Sequence, residues 1–251
     1  MSAQAELERL LEEGDFRAVE VAAAMGEAAV PALRKGAEMP GYRSRQVAMA
    51  CAGKVGGEAS GKILSLGLKD GNVNVRVAAA GQLSVNPPES ARDAILSTLV
   101  RSNESDVREM LAFSAGYFPG ERTIAILRSI ASGKEVLASN ARLALARLGD
   151  AAGREALLAE LGSSDARVRY DTVGGLRYVN DPSLANVVKP LLRDAEDVQA
   201  VGPERRRKFR RVCDQAVDTL AYLLKLKLPF PTSEETIYTE EQLLHVRDLT
   251  R

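Results

Sequence analysis

The chain has 251 residues, of which 45% are hydrophobic and 27% charged, and its 34 Lys and Arg residues balance its 34 Asp and Glu residues. This composition argues against a disordered or membrane-spanning chain, and a formal net charge of zero gives no global attraction to nucleic acid. Aromatic residues reach only 4% and Trp is absent. Such a composition, dominated by Ala, Leu and Val, is typical of closely packed helices.

The N-terminal segment, residues 1–15, predicts an amphipathic, acidic helix. We expect this helix to cap the N-terminal end of the array described below, because the outer face of a terminal repeat has no neighbour to cover it. The segment has neither a basic start nor an apolar central stretch, so it does not resemble a secretory signal. We therefore expect a cytoplasmic protein.

Two residue patterns, here called periodic marks, recur about every 30 residues along the chain. An aliphatic residue and an arginine open apolar helical runs at Val75-Arg76, Val107-Arg108 and Val168-Arg169, preceded by a related Ser44-Arg45, at intervals of 31, 32 and 61 residues. Paired aliphatic residues form the second mark: Ile63-Leu64, Ile95-Leu96, Ile126-Leu127, Leu157-Leu158 and Val187-Val188. A period of about 30 residues that joins two helices predicts units that bury their apolar faces only by stacking on one another.

Three segments carry a resemblance to a known family: 70–83 (DGNVNVRVAAAGQL), 104–116 (ESDVREMLAFSAG) and 165–176 (DARVRYDTVGGL). They resemble HEAT repeats, including the bacterial HEAT-like repeats also seen in phycobilin lyases. The resemblance covers roughly residues 16–224. It implies an all-α fold, a right-handed α-solenoid of about six to seven two-helix repeats, occupying residues 1–228. One unit, 138–149, departs from the pattern, with Asn140-Ala141 where the others have Val-Arg.

The recurring arginines form a predicted ladder between repeats. Its members are Arg45, Arg76, Arg108 and Arg169. In HEAT-like repeats an arginine at this position typically bridges adjacent units, and carboxylates such as Asp70, Asp106 and Asp165 lie nearby in the sequence. A bidentate pair of this kind fixes the stacking angle between repeats, so we assign the ladder a structural role. The departure at Asn140-Ala141 predicts a break in the middle of the ladder.

A second set of cations falls on one ridge when the second helices are aligned on their paired aliphatic residues. The set consists of Lys69, Arg101, Arg128, Lys189 and Arg193. In HEAT superhelices such ridges line the concave face, and a basic ridge would attract an acidic helix, peptide or loop. The alternative is ordinary solvated charge, interrupted by carboxylates such as Glu155 and Glu160.

The densest charge cluster lies at Arg205, Arg206, Arg207, Lys208, Arg210 and Arg211. Periodicity predicts a terminal helix over 204–228, with Arg207, Arg211, Asp214 and Asp218 on its polar face and Arg210 paired with Asp214. A nucleic-acid patch is the alternative to a basic capping helix. After Pro229-Phe230-Pro231 we expect a C-terminal tail, 229–251, with one short helix that begins with a capping box at Thr239 and Gln242. The tail either folds back to cover the last repeat or docks on another chain, and we favour the first alternative.

Motifs of catalysis are scarce. His245 is the single histidine, and no CxxC, HExxH or glycine-rich phosphate loop occurs in the sequence. We expect His245 to be an exposed residue of the tail helix, and Cys51 and Cys213 to be buried, reduced thiols. The sequence therefore predicts no catalytic residues, no metal and no cofactor, and favours a protein that is not an enzyme.

Three functions from different classes remain. The first is a HEAT-repeat adaptor or scaffold that holds an acidic protein segment along its concave surface. This class of function includes inhibitors and immunity proteins. The second, implied by the resemblance alone, is a role like that of a phycobilin lyase or isomerase in handling a chromophore. The third is nucleic-acid binding through 205–211, which the neutral chain disfavours. We favour the adaptor; neither the partner nor the oligomeric state follows from the sequence.

Overall fold

The computed structural model describes residues 2–133, 135–204 and 207–251, and most of these are helical. The helices of the first part of the chain are α1 (Ala3–Glu13), α2 (Ala18–Met25), α3 (Val30–Gly36), α4 (Tyr42–Val55), α5 (Gly57–Gly67), α6 (Val73–Leu83), α7 (Arg92–Arg101), α8 (Ser105–Ala115) and α9 (Glu121–Ala131). The later helices are α10 (Val136–Arg147), α11 (Ala151–Leu161), α12 (Ala166–Val179), α13 (Ala185–Val188), α14 (Val212–Leu224) and α15 (Glu240–Leu249). A 3-10 helix, Lys189–Arg193, continues α13.

The two-helix repeat predicted from the sequence is present. Ser44-Arg45 and the three Val-Arg pairs lie in the first helix of a unit (α4, α6, α8, α12), and each pair of aliphatic residues lies in the second (α5, α7, α9, α11, α13). The buried members of the aliphatic pairs include Ile63, Leu64, Ile95 and Leu96. Stacking of helices on their apolar faces therefore builds the core, and the all-α helical-repeat fold class is confirmed.

The chain divides into two compact units, Met1–Ala144 and Leu145–Arg251. The tail belongs to the second unit, because Tyr238, Leu243 and Val246 are buried and α15 packs against α14 and the 3-10 helix. The short helix expected in the tail is α15, and Thr239 and Gln242 form its capping box.

In the first unit, α4 packs against α2 and α6, and α6 packs against α8. Its core contains Leu7, Leu11, Val47, Val75 and Leu111. Small residues let the helices approach closely: a Cβ atom at Gly67 of α5 would lie 2.8 Å from the Cβ of Ala79. Close helix packing of this kind accounts for the high Ala and Gly content of the sequence.

The second unit holds the main departure from the sequence prediction. Residues Asp197–Val201 and Lys208–Arg211 form two antiparallel strands, β1 and β2, and α14 begins only at Val212. The predicted helix over 204–228 is therefore wrong at its start, and the preceding loop contains a strand. A helix beginning at 204 would place a row of cations at the positive end of its dipole. Instead Asp214, an acidic residue, occupies the first turn.

Candidate functional site

The first unit contains a cleft of about 450 Å³ at the C-terminal ends of α5 and α7, here called the α5–α7 cleft. It is lined by Leu68, Lys69, Arg76, Ser97, Thr98, Arg101, Ser102, Asn103 and Glu104. Two residues of the predicted ridge, Lys69 and Arg101, are thus brought to one site by the ends of two successive second helices. Both are exposed, and within the described residues neither has an ion pair or a hydrogen bond from its side chain.

The wall of this cleft is fixed by a ladder arginine. Arg76 of α6 pairs with Glu104, the residue that precedes α8, and donates a hydrogen bond to the carbonyl oxygen of Asp70 at 2.5 Å. The hydrogen bond to Arg76 lowers the pKa of Glu104, so this carboxylate is ionised at neutral pH and neutralises Arg76. The remaining charge of the cleft comes from Lys69 and Arg101. The cleft is therefore basic, and the Arg76–Glu104 ion pair forms part of its wall.

Arg45 and Arg169 have the same geometry in other repeats. Arg45 forms a bidentate pair with Asp70, with Nε–Oδ2 and Nη2–Oδ1 distances of 2.7 Å and 3.0 Å, and bonds the carbonyl oxygen of Met39. Arg169 contacts Asp194 at 2.6 Å and the carbonyl oxygen of Ser163 at 2.7 Å. Each guanidinium thus joins the turn before its own helix to the turn at the end of the same repeat. Asp165 instead caps the N-terminus of α12.

The ladder continues where the sequence predicted a break. Arg142 of α10 donates hydrogen bonds to the carbonyl oxygens of Ala131 and Gly133 at 2.6 Å and 3.0 Å, as the other ladder arginines do to the turns before their helices. The position equivalent to Arg76 is therefore Arg142, and Asn140-Ala141 precedes it. Arg108 donates from Nε to the carbonyl oxygen of Leu99 at 3.0 Å. Arg142 lies three residues further into its helix than the other ladder arginines, so the spacing of the sequence motif does not reach it.

The other ridge residues lie apart from the α5–α7 cleft. Arg128 of α9 is exposed and belongs to the first unit, but it does not line that cleft. Lys189 and Arg193 belong to the second unit, where both line a different cleft. The structure thus groups Lys69 with Arg101 and Lys189 with Arg193, in separate units.

The basic run does not form the helical patch that the sequence predicted. Arg205 and Arg206 lie outside the described residues; Arg207 and Lys208 are exposed, but Arg210 is fully buried. Arg210 does not pair with Asp214: its Nη2 lies 2.5 Å from Asp218, whereas Asp214 pairs with Arg211 at 2.9 Å. Two of the cations are therefore neutralised, and the surface left for nucleic acid is smaller than predicted.

Asp214 and Asp218, predicted on a polar face of the terminal helix, are buried. Asp218 accepts hydrogen bonds from Arg210 and, at 2.5 Å, from the hydroxyl group of Tyr238. Asp214 accepts one from the backbone N–H of Tyr238 at 3.0 Å, and Arg211 donates to the carbonyl oxygen of Tyr238 at 2.7 Å. These contacts, here called the tail network, join β2 and α14 to the C-terminal tail.

Electrostatics in the tail network are set by burial. Burial raises the pKa of Asp218, against the opposing effect of its hydrogen bonds to Tyr238 and Arg210. Burial also raises the pKa of Tyr238, which therefore remains a neutral donor. Arg210 has no exposed surface, and its ion pair with Asp218 keeps it from being an uncompensated buried charge. The network is a structural core of polar groups.

Residues with catalytic potential lie elsewhere. His245 is exposed on α15, as predicted, with its ring 6.1 Å from that of Phe230. Cys51 and Cys213 are buried and free, which confirms the sequence prediction, and burial raises the pKa of the Cys51 thiol to about 12 and that of Cys213 to about 11. Both are therefore protonated and poorly nucleophilic at neutral pH.

Residues 2–133, 135–204 and 207–251 contain no group of three or more His, Cys, Asp or Glu side chains placed to hold a metal ion. Among the helices they form, none has the length and apolarity needed to cross a bilayer.

Comparison with known proteins shows the fold alone. One similar structure is the complex of CpcE and CpcF of phycocyanin lyase from Nostoc, with a TM-score of 0.56 and 18% identity over 92% of this chain and 87% of that chain. An engineered protein gives a TM-score of 0.45 (18% identity, 89% of this chain and 68% of that one). The Escherichia coli protein YibA gives 0.36 (17% identity, 86% and 91%). No family model and no curated protein matches the sequence.

Proposed function

We propose that this chain is a non-catalytic helical-repeat protein of the bacterial cytoplasm that binds an acidic segment of a protein partner at the α5–α7 cleft. The observation that carries the proposal is the pair of exposed cations, Lys69 and Arg101, which share this cleft without ion pairs among the described residues. Because Glu104 already neutralises Arg76, the cleft retains the charge of both cations. A carboxylate-rich helix or peptide supplies the complementary charge.

Exposed apolar residues on the same two helices, outside the lining of the cleft, support the same function. In the last turns of α5 and α7, Leu66 is 53% exposed and Val100 is 60% exposed. Protein interfaces commonly combine apolar contact area with a polar rim. An acidic segment with aliphatic residues would therefore match this surface better than a purely charged ligand, and its association rate should fall as salt rises.

Capture from an extract of the source organism tests the proposal. The baits are the wild-type chain, the charge-reversal variant Lys69→Glu/Arg101→Glu, and a control variant Arg34→Glu/Lys54→Glu. The control residues are exposed cations of the same unit that lie outside the cleft. We expect the wild type and the control to retain one stoichiometric protein at low salt, and the charge-reversal variant to lose it.

The control also separates binding from folding, because all three baits should have the same melting temperature. Retention of the same protein by Lys69→Glu/Arg101→Glu would refute the α5–α7 cleft as the binding site. Recovery of nucleic acid in place of protein would refute the adaptor function.

A second candidate function is a part in chromophore handling with a second chain. The observation that favours it is the likeness, over 92% of this chain, to a structure of the complex of CpcE and CpcF of phycocyanin lyase. At 18% identity this likeness supports a similar arrangement of helices and carries no residue role. A change in the absorbance spectrum of a bilin on mixing with the chain and its captured partner would support this function, and an unchanged spectrum would argue against it.

A further inference from the structure

A second cleft, of about 390 Å³, lies in the second unit between α15 and the helical turn Lys189–Arg193. We call it the α15 cleft. It is lined by Asn186, Lys189, Pro190, Leu192, Arg193, Leu244, Arg247, Thr250 and Arg251. Four of these side chains are cationic, two from each wall. The sequence prediction had included Lys189 and Arg193 but neither Arg247 nor Arg251, which the fold of the tail brings opposite them.

The charge of the α15 cleft is only partly neutralised. Arg247 lies 3.5 Å from Glu240, and Arg251 lies 3.1 Å from Asp248. Lys189 and Arg193 have no ion pair within the described part of the chain. Counted over side chains, four cations against two carboxylates leave an excess of two positive charges. A doubly charged anion would balance it.

The guanidinium of Arg247 has an N–H group without a hydrogen-bond partner among the described residues. Its side chain is 26% exposed, and its Nε atom is buried without a hydrogen-bond partner among the described residues. The single contact of its Nη2 atom with Glu240 is long for a charge-assisted hydrogen bond. Because the Nε atom has no exposed surface, an anion in the cleft would contact the guanidinium through its Nη groups, whose one described contact is this long one. Arginine is well suited to phosphate because its planar guanidinium presents parallel N–H groups.

We propose that the α15 cleft binds a phosphomonoester dianion. Lys189 and Arg193 supply charge from one wall, Arg247 supplies N–H donors from the other, and the amide of Asn186 offers a neutral donor. The buried side chain of Leu192 closes the cleft with apolar surface. The ligand class goes beyond the protein-binding function proposed above, because the site lies in a different unit and uses different residues.

Titration calorimetry with the full-length chain tests this site, using inorganic phosphate and a phosphoserine peptide as probes and the unphosphorylated peptide as reference. We expect saturable binding of one equivalent of phosphate. Tighter binding of the phosphoserine peptide than of inorganic phosphate would identify a phosphorylated protein as the source. Equal affinity would identify free phosphate or a small phosphate ester. Binding of the unphosphorylated peptide as tightly as the phosphorylated one would overturn the proposal.

Matched variants localise the site. We expect Lys189→Gln/Arg193→Gln to weaken phosphate binding by about tenfold or more, a factor that corresponds to about 1.4 kcal/mol. Lys69→Gln/Arg101→Gln removes two cations from the other cleft and should leave phosphate binding unchanged. Equal effects of the two double variants, or no saturable binding by the wild type, would contradict the proposal. Loss of phosphate binding leaves the partner-capture experiment unaffected, so the two proposals fail separately.

Discussion

At the scale of single residues, the arginine ladder is the feature that the sequence made most visible. The pairing of Arg45 with Asp70 and of Arg169 with Asp194 places a guanidinium and a carboxylate at the turns of one repeat, with side chains at most 17% exposed. The helical period fixes on which face of its helix such an arginine lies, so the spacing alone predicts that the arginine lies close to a turn between helices. Its contacts also depend on how far into the helix the arginine lies, and Arg142 lies about one helical turn further along than Arg76, which the spacing of the motif does not predict.

The Arg45–Asp70 pair predicts a pH-dependent contribution to stability. The hydrogen bond from Arg45 lowers the pKa of Asp70 below its ordinary value of 3.8. The pair therefore stabilises the folded chain fully above about pH 3.8, and this contribution is lost as the pH falls through the lowered pKa. We expect Asp70→Asn to lower the free energy of unfolding by about 1.5–3 kcal/mol at pH 7 and by less near pH 3. Urea unfolding at both pH values measures the difference.

A matched control for this prediction is Asp171→Asn. Asp171 pairs with Arg167 within α12, where the two side chains are 61% and 53% exposed. An exposed pair of this kind contributes about 0.3–0.5 kcal/mol. If Asp171→Asn were as destabilising as Asp70→Asn, the burial of the ladder pair would not explain its effect.

At the scale of secondary-structure elements, the helices of the repeats could be predicted and the hairpin could not. The run of cations suggested the solvated start of a helix, but β2 alternates exposed Phe209 with buried Arg210. The turn signal was present in Gly202-Pro203, and Gly202 adopts a φ of 84°. What the sequence could not show is that Arg210 meets Asp218 across the junction of a strand and a helix, because that contact depends on tertiary structure.

The tail network predicts that a single hydroxyl group stabilises the tail. The substitution Tyr238→Phe removes the buried hydrogen bond of 2.5 Å from Tyr238 to Asp218. The ion pair between Asp218 and Arg210 remains. We expect a loss of about 1–3 kcal/mol in the free energy of unfolding, and faster hydrogen exchange of the α15 amides. Thermal or chemical unfolding and exchange mass spectrometry measure the two effects.

Tyr222→Phe provides the comparison, since Tyr222 lies on α14 and is 51% exposed. A surface change of this kind should alter stability by less than about 0.5 kcal/mol. Equal stability of Tyr238→Phe and the wild type would show that the hydroxyl group contributes nothing to holding the tail.

At the scale of the whole molecule, the fold class followed from two periodic marks, whereas the grouping of the cations did not. The sequence placed Lys69, Arg101, Arg128, Lys189 and Arg193 on one ridge. The structure places two pairs of them in clefts of separate units, one completed by Arg76 and Glu104 and the other by Arg247 and Arg251. Alignment of helices predicts which residues occupy equivalent positions, but the clefts also depend on turns and on the tail.

Site-specific photocrosslinking tests most directly whether the α5–α7 cleft holds a protein partner. A photoreactive side chain at Asn103, an exposed residue that lines the cleft, is compared with one at Lys54, which is exposed in the same unit outside it. The proposal predicts one discrete crosslinked protein from Asn103, abolished by Lys69→Glu/Arg101→Glu, and none from Lys54. Crosslinking of the same protein from Lys54 but not from Asn103 would contradict it.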